Sequence, residues 1–338
     1  MDGGEGNLPV FLHGMWRSGT TFVWSQFRKS PGAYCYYEPL HDALAKLTVA
    51  RLRRNGGYDP EALGHNPLAA PYFNEFEPLL GLRGVKNYRR AFAFDRLVMH
   101  PEDEHEQLRR YVGGLITHAE GCGRTPVLGF NRSCLMVGWL AQRFRALNVY
   151  IVRSPEGVCA SYLGQLRRGN PWFIAHWLWV LERNETEPLV QPLIERLPLR
   201  KRMERLLRPR EGYYLDAARR MSAEQVYFMT VYLWLAGVLW GACRCDLVLD
   251  MDRLHEEPYR QSAGERLRLR SGLTIGFEDS RSMTREVPLD EAERGRIEGE
   301  VLAALPRHGP GLTLAPGAAR GMLSQLTSGK AELLAEAV

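Results

Sequence analysis

The sequence predicts an α/β protein: a parallel sheet flanked by helices, carrying a helical insertion. Three observations predict it. Short runs rich in β-formers are each followed by helical periodicity, the alternation that builds a parallel sheet. An apolar run, Val10 to Leu12, leads into a glycine-bracketed loop, Gly14 to Gly19, and then into an amphipathic segment. The order strand, turn, helix recurs at Asn148 to Tyr162, where Pro155 follows the strand end.

Taken in order, strands are expected at Pro9–His13, Tyr34–Tyr37, Pro126–Phe130, Asn148–Val152 and Asp246–Asp250. Helices are expected at Thr20–Lys29, Cys134–Arg145 and Glu156–Leu166. In an open sheet of this kind ligands bind beyond the carboxyl ends of the strands. Gly84 to Arg90 is a loop with clustered bases. Residues 168–245 read as a helical insertion. Its indoles, Trp172, Trp177, Trp179, Trp234 and Trp240, belong to the core by default, with one or two left to line a pocket. Val231 to Gly241 is apolar but too short to span a bilayer, so it reads as a buried helix. The basic run Arg200 to Arg210 reads as a solvated helix face, and residues 309–338 as a Gly- and Ala-rich, loosely held tail. No internal repeat divides the chain, and residues 1–338 are expected to form one domain.

Composition narrows the function classes. The 338 residues are ample for a large buried core, and the charged fraction of 25% is ordinary for a globular protein. A net charge of +5 suits an anionic ligand but is too small to imply nucleic-acid binding. The six cysteines are scattered and lack metal-ligand spacing, so reduced thiols and no bound metal are expected. With no signal peptide and no long apolar run, neither membrane insertion nor export is expected, and a cytoplasmic location follows. Asn131 and Asn184 head glycosylation patterns that carry no weight there.

The loop Gly14-Met-Trp-Arg-Ser-Gly19 is the most informative segment. Such a loop turns several backbone N–H groups inward, and the helix behind it adds partial positive charge. The glycine spacing is P-loop-like, yet the second glycine is followed by Thr20 where a nucleoside-triphosphate enzyme carries lysine. The basic residue lies inside the loop, at Arg17. That substitution points to a phosphorylated donor other than a nucleoside triphosphate.

The segment Arg17 to Thr21 (RSGTT) resembles the 5′-phosphosulfate loop of sulfotransferases that use 3′-phosphoadenosine 5′-phosphosulfate (PAPS). Asn148 to Tyr162 is similar to the family's 3′-phosphate element, a strand ending in Arg153, then Pro155, then a helix carrying Ser161. Tyr36 to Leu40 resembles the Glu-Pro-Leu segment of carbohydrate-type members, and Leu247 to Pro258 weakly resembles a late strand and acidic turn. Together these cover about residues 8–45 and 125–165. The resemblance implies that Arg17, Ser18, Gly19, Thr20 and Thr21 bind the 5′-phosphosulfate. It implies that Arg153 and Ser161 bind the 3′-phosphate. Residues 168–245 would form the acceptor side. Animal carbohydrate sulfotransferases carry an N-terminal membrane anchor; this chain shows none, which suggests the soluble bacterial type.

Sulfuryl transfer needs cations and N–H donors around the sulfuryl oxygens and a base for the acceptor hydroxyl. No metal is required. The resemblance favours Glu38 as that base. His41, three residues on, is the rival, because a neutral imidazole accepts a proton directly. Phenol- and hydroxysteroid-type members carry basic and His residues at the strand end that is Gly129 to Ser133 here. This chain has Asn131 and Arg132 there and no His, which leaves Arg132 and Asn131 as acceptor-binding candidates. The expected activity is sulfuryl transfer from PAPS to a hydroxyl of a carbohydrate or other small molecule. A P-loop phosphotransferase and a non-catalytic nucleotide-binding scaffold are the alternatives.

Overall fold

A computed structural model describes residues 7–54, 68, 70–199, 210–282, 286–313 and 317–321. The strands are β1 (Val10–His13), β2 (Ala33–Tyr37), β3 (Thr125–Gly129), β4 (Leu147–Val152) and β5 (Leu247–Asp250). Each lies within one residue of its expected bounds. All neighbours pair in parallel, in the order β2-β3-β1-β4-β5. The three inner strands are buried throughout, as both faces of a parallel sheet must be. Edge strand β5 instead buries alternate residues.

Helices cover both faces. In chain order those of seven residues or more are α1 (Thr20–Arg28), α2 (Glu106–Gly121), α3 (Val137–Arg143), α4 (Pro155–Arg167), α5 (Trp172–Arg183), α6 (Arg210–Arg219), α7 (Ala223–Trp240), α8 (Glu257–Ser271) and α9 (Glu291–Ala304). Strand β4 shows how the sheet divides the core. Tyr150 and Val152 point into the layer that holds α4, α5 and α7, whereas Val149 and Ile151 point into the other.

Two helices differ from expectation. Helix α3 is shorter than Cys134–Arg145. Residues before it turn, with the Met136 N–H donating to the Ser133 carbonyl at 2.9 Å. At its far end Phe144 is extended and turns its ring edge-on to Phe11 at 5.8 Å. Helix α7 is longer than Val231 to Gly241, because Ser222 and Gln225 form a capping box that starts it earlier. Among the described residues it is the one helix long and apolar enough to cross a membrane, and 94% of that window is buried inside the protein.

Segment 168–245 is helical where described, with α7 packed between α4 and α9. The basic run from Arg200 lies almost wholly outside the described residues. Of the expected tail, Gly309 and Leu312–Thr313 join His308 in a small antiparallel pair, and residues 322–338 lie outside the described set.

The strand order fixes where a ligand can sit. From β1 the chain crosses to the β2 side; from β4 it crosses to the β5 side. Adjacent strands whose connections leave in opposite directions open a crevice at their carboxyl ends. The loops after β1 and β4 flank that crevice, and the loops after β2, β3 and β5 open on the same edge.

Candidate functional site

The loop after β1 is tight for identifiable reasons. A Cβ on Gly14 would stand 2.8 Å from Ser18 Oγ and 3.0 Å from the Ile151 carbonyl. Gly19 has φ 96°, and a Cβ there would meet the Met251 side chain at 2.6 Å. Both glycines are therefore required by close approach, and Gly19 also by conformation. Ser18 turns inward and donates from Oγ to the Met15 carbonyl at 2.8 Å. Its hydroxyl braces the loop, and the side chain does not line the cleft.

Two helices begin at the crevice, and their caps differ. Helix α4 is capped by Ser154, whose Oγ accepts from the Gly157 N–H at 3.3 Å, with Pro155 at its start. Helix α1 has Gly19 at its cap, no side-chain cap and no acidic residue in its first turn. Its first N–H groups are left facing the crevice, with the helix dipole behind them.

The two expected phosphate elements meet there. Arg17 donates from Nε to Ser161 Oγ at 2.9 Å, and its guanidinium lies 4.8 Å from the centre of the Phe173 ring. Arg153, 5% exposed, donates to the Arg17 carbonyl at 3.5 Å and stands 3.6 Å from Asp252. Trp234 holds the Arg153 carbonyl at 2.8 Å. Ser161 is buried and meets the cleft only through Arg17. Asp252 was not singled out by sequence, although it sits in the weakly matching acidic turn.

The second half of the site follows β2 and β3. Glu38 donates its N–H to the Gly129 carbonyl at 3.0 Å, tying the two strand ends together. Its Oε1 accepts from Asn131 Nδ2 at 2.6 Å. Tyr37 stands between the halves: its hydroxyl lies 3.1 Å from Thr21 Oγ1, and the Glu38 charge acts on it. Burial, then the Glu38 charge, pushes the Tyr37 phenol well above its usual range, so it stays a donor. Asn131 Oδ1 is buried with no partner. Arg132, 8% exposed, donates to the Leu40 and Ala93 carbonyls and stacks 5.4 Å from the centre of Trp16.

His41 serves first as a cap. Its Nδ1 lies 3.1 Å from the Ala43 N–H and 3.2 Å from Asp42 Oδ1, and Nε2 stands 3.8 Å from Glu38. Burial opposes the charge on Asp42. The His41 hydrogen bond, with the nearby His41, His176 and Arg132, still holds that carboxyl well below its usual range.

Backbone strain marks the same residues. Among the described residues only three non-glycines have φ in the left-handed region: Arg17 at 72°, Glu38 at 40° and Asn87 at 62°. Each such residue costs on the order of 1–3 kcal/mol, and strain of this kind clusters at functional sites. Two of the three are site residues chosen from sequence.

All of this opens on one cleft of about 1480 Å³. One wall carries Arg17, Gly19, Thr20, Thr21 and Arg153; the other carries Glu38, His41, Asn131 and Arg132. Helix α5 closes it with Trp172, Phe173, His176 and Trp179. So two of the five indoles singled out line the cleft, while Trp177, Trp234 and Trp240 are buried. His176, Asp42 and Tyr37 were missed by sequence. A signal existed for the first: Phe173, His176 and Trp179 recur at helical spacing and stay half-exposed while Ile174, Ala175, Trp177 and Leu178 are buried. Among the described residues no group of His, Cys, Asp and Glu is placed to hold a metal ion.

Fold and site together define a parallel α/β protein with a basic, glycine-looped crevice at its switch point. No protein-family model, curated protein or solved structure matches the chain.

Proposed function

We propose that the protein is a sulfotransferase that moves a sulfuryl group from PAPS to a hydroxyl of a carbohydrate or other small molecule. The observation that carries the reading is the Arg17–Ser161 hydrogen bond at 2.9 Å. It joins the residues that resemble the 5′-phosphosulfate loop to those that resemble the 3′-phosphate element, across 144 positions of sequence. One ligand with a phosphate at each end of an adenosine would bridge them.

In this reading the uncapped N–H groups of α1, with Thr20 and Thr21, hold the 5′-phosphate. Arg17 neutralises charge on the sulfuryl and bridging oxygens as the bond to the leaving group breaks. Arg153 holds the 3′-phosphate, Ser161 acts through Arg17, and the phosphate competes with Asp252 for the Arg153 guanidinium. Glu38 faces the acceptor hydroxyl, and the orphaned Asn131 oxygen takes a hydrogen bond from the acceptor. Leaving such a buried acceptor unpaired costs about 1–3 kcal/mol.

The test is a comparison of ligands by thermal shift and calorimetry. PAPS or its product, 3′-phosphoadenosine 5′-phosphate, stabilises the protein, by about 2.7 kcal/mol at a hundred times its dissociation constant. ATP with magnesium does not. Equal stabilisation by ATP–magnesium returns the chain to a phosphotransferase, and a response to neither ligand to a scaffold.

A further inference from the structure

We infer that His176, backed by Asp42, takes the proton from the hydroxyl that receives the sulfuryl group; this rests on the function proposed above. His176 projects from the middle of α5 into the cleft, with its side chain 20% exposed. The ring is fixed by aromatic walls. Phe94 stacks on it at 5.5 Å and 11°, and Trp16 meets it edge-on at 5.4 Å. Both ring nitrogens lack a hydrogen-bond partner among the described residues, with Nε2 4.0 Å from Asp42 Oδ1. A histidine held this firmly, reachable by ligand and unbonded, has a lone pair to offer.

Its position suits the donor. Trp16 precedes Arg17 in the loop, and Phe173, one turn before His176 on α5, packs under the Arg17 guanidinium. The imidazole is thus joined to the sulfuryl-binding residue along two walls. By contrast Glu38 already accepts a hydrogen bond from Asn131, which suits orienting a hydroxyl more than removing its proton. His41 is engaged in its own turn.

The charges facing His176 make it respond to the donor. Burial, then Asp42 in opposition, then Arg132, His41 and Arg90 set its affinity for a proton, and the balance brings it down to about 3. The ring is neutral before substrate arrives. A polyanion bound beside Arg17 offsets the arginine charges and raises its basicity. In the step itself the acceptor O–H bond breaks and its proton passes to the imidazole. The freed oxygen bonds to sulfur, and the bond from sulfur to the 5′-phosphate oxygen breaks. The electron pair leaves on 3′-phosphoadenosine 5′-phosphate. Asp42 stabilises the imidazolium until the proton passes to solvent.

The experiment has two arms. The first follows the His176 ring by NMR in the intact protein, through a pH titration with and without 3′-phosphoadenosine 5′-phosphate. Proton affinity of the ring rises at least about tenfold when the nucleotide binds; a ring that does not respond overturns the inference. The second measures sulfate release from PAPS, with water as acceptor, for wild type, His176→Asn and Asp42→Asn. His176→Asn loses roughly 10²- to 10⁴-fold while nucleotide affinity stays within about threefold, and Asp42→Asn loses about tenfold or more. Either folded variant releasing sulfate at the wild-type rate with the nucleotide bound overturns the inference and leaves the sulfotransferase reading standing. A wild type that binds no nucleotide overturns both, and for one that binds PAPS without hydrolysing it the ring titration alone decides the inference.

Discussion

Lowering the pH from 7 to 4.5 is expected to destabilise the protein by roughly 2 kcal/mol through His13 alone. His13 ends β1 and is fully buried. Its Nδ1 lies 2.8 Å from Ser133 Oγ and its Nε2 3.1 Å from Asn148 Oδ1. The Asn148 carbonyl oxygen only accepts, so Nε2 carries the proton and Nδ1 accepts from Ser133. Burial pushes the imidazole down to about 4, outweighing the Asn148 hydrogen bond and the Asp246 charge. Unfolded, the same ring titrates near about 6.5. Between those values the unfolded chain binds more protons than the folded one. The stabilisation is therefore complete above about pH 6.5 and is lost as pH falls toward 4. The bond to Ser133 also braces the loop that carries Asn131 and Arg132. The assay is urea unfolding of wild type and His13→Gln at both pH values. The variant lacks this part of the acid sensitivity. Identical pH dependence in the two proteins refutes the argument. Should His13→Gln not fold at pH 7, the wild-type His13 ring followed by NMR decides, and a midpoint near 6.5 refutes it.

On the proposed function, four further outcomes are expected at the cleft. Arg17→Ala cuts sulfuryl transfer by about two to three orders of magnitude with the fold retained; near-normal turnover removes Arg17 from the site. Arg153→Ala weakens binding of 3′-phosphoadenosine 5′-phosphate by roughly 1.5–3 kcal/mol and barely affects adenosine 5′-phosphosulfate, which lacks the 3′-phosphate. Asp252 is 40% exposed, so water replaces its lost partner and the fold survives; equal weakening of both ligands in calorimetry contradicts the assignment. Glu38→Gln lowers turnover by about tenfold through a weakened contact to the acceptor hydroxyl, and His41→Ala mainly lowers the melting temperature by removing a turn cap. A loss of about 10²–10⁴ in Glu38→Gln, with His176→Asn active, returns the role of base to the carboxylate.

The sheet was legible in the sequence because each strand is a short apolar run bounded by a polar turn, and burial on both faces leaves no other pattern for an inner strand. The glycine loop was equally legible. Gly14 and Gly19 stand where backbone packs against Ile151 and Met251, and no larger residue fits. Arg17, Glu38, Asn131, Arg132 and Arg153 follow strands that all run in one direction, so they share one edge whatever the order of the strands. Only the tertiary structure decided that order, and with it that β1 and β4 are neighbours and that Arg17 reaches Ser161. The same holds for the far wall of the cleft. His176 looks like one more residue of a Trp-rich helix until α5 is laid over the β1 loop and Asp42 is brought beneath it. His41 could be read as a free imidazole until its Nδ1 was found among the groups of its own turn. Local pattern fixes what a segment becomes, because it depends on neighbours in sequence. Which side chain is left with an unbonded lone pair in a closed cleft depends on what packs across it from more than a hundred residues away.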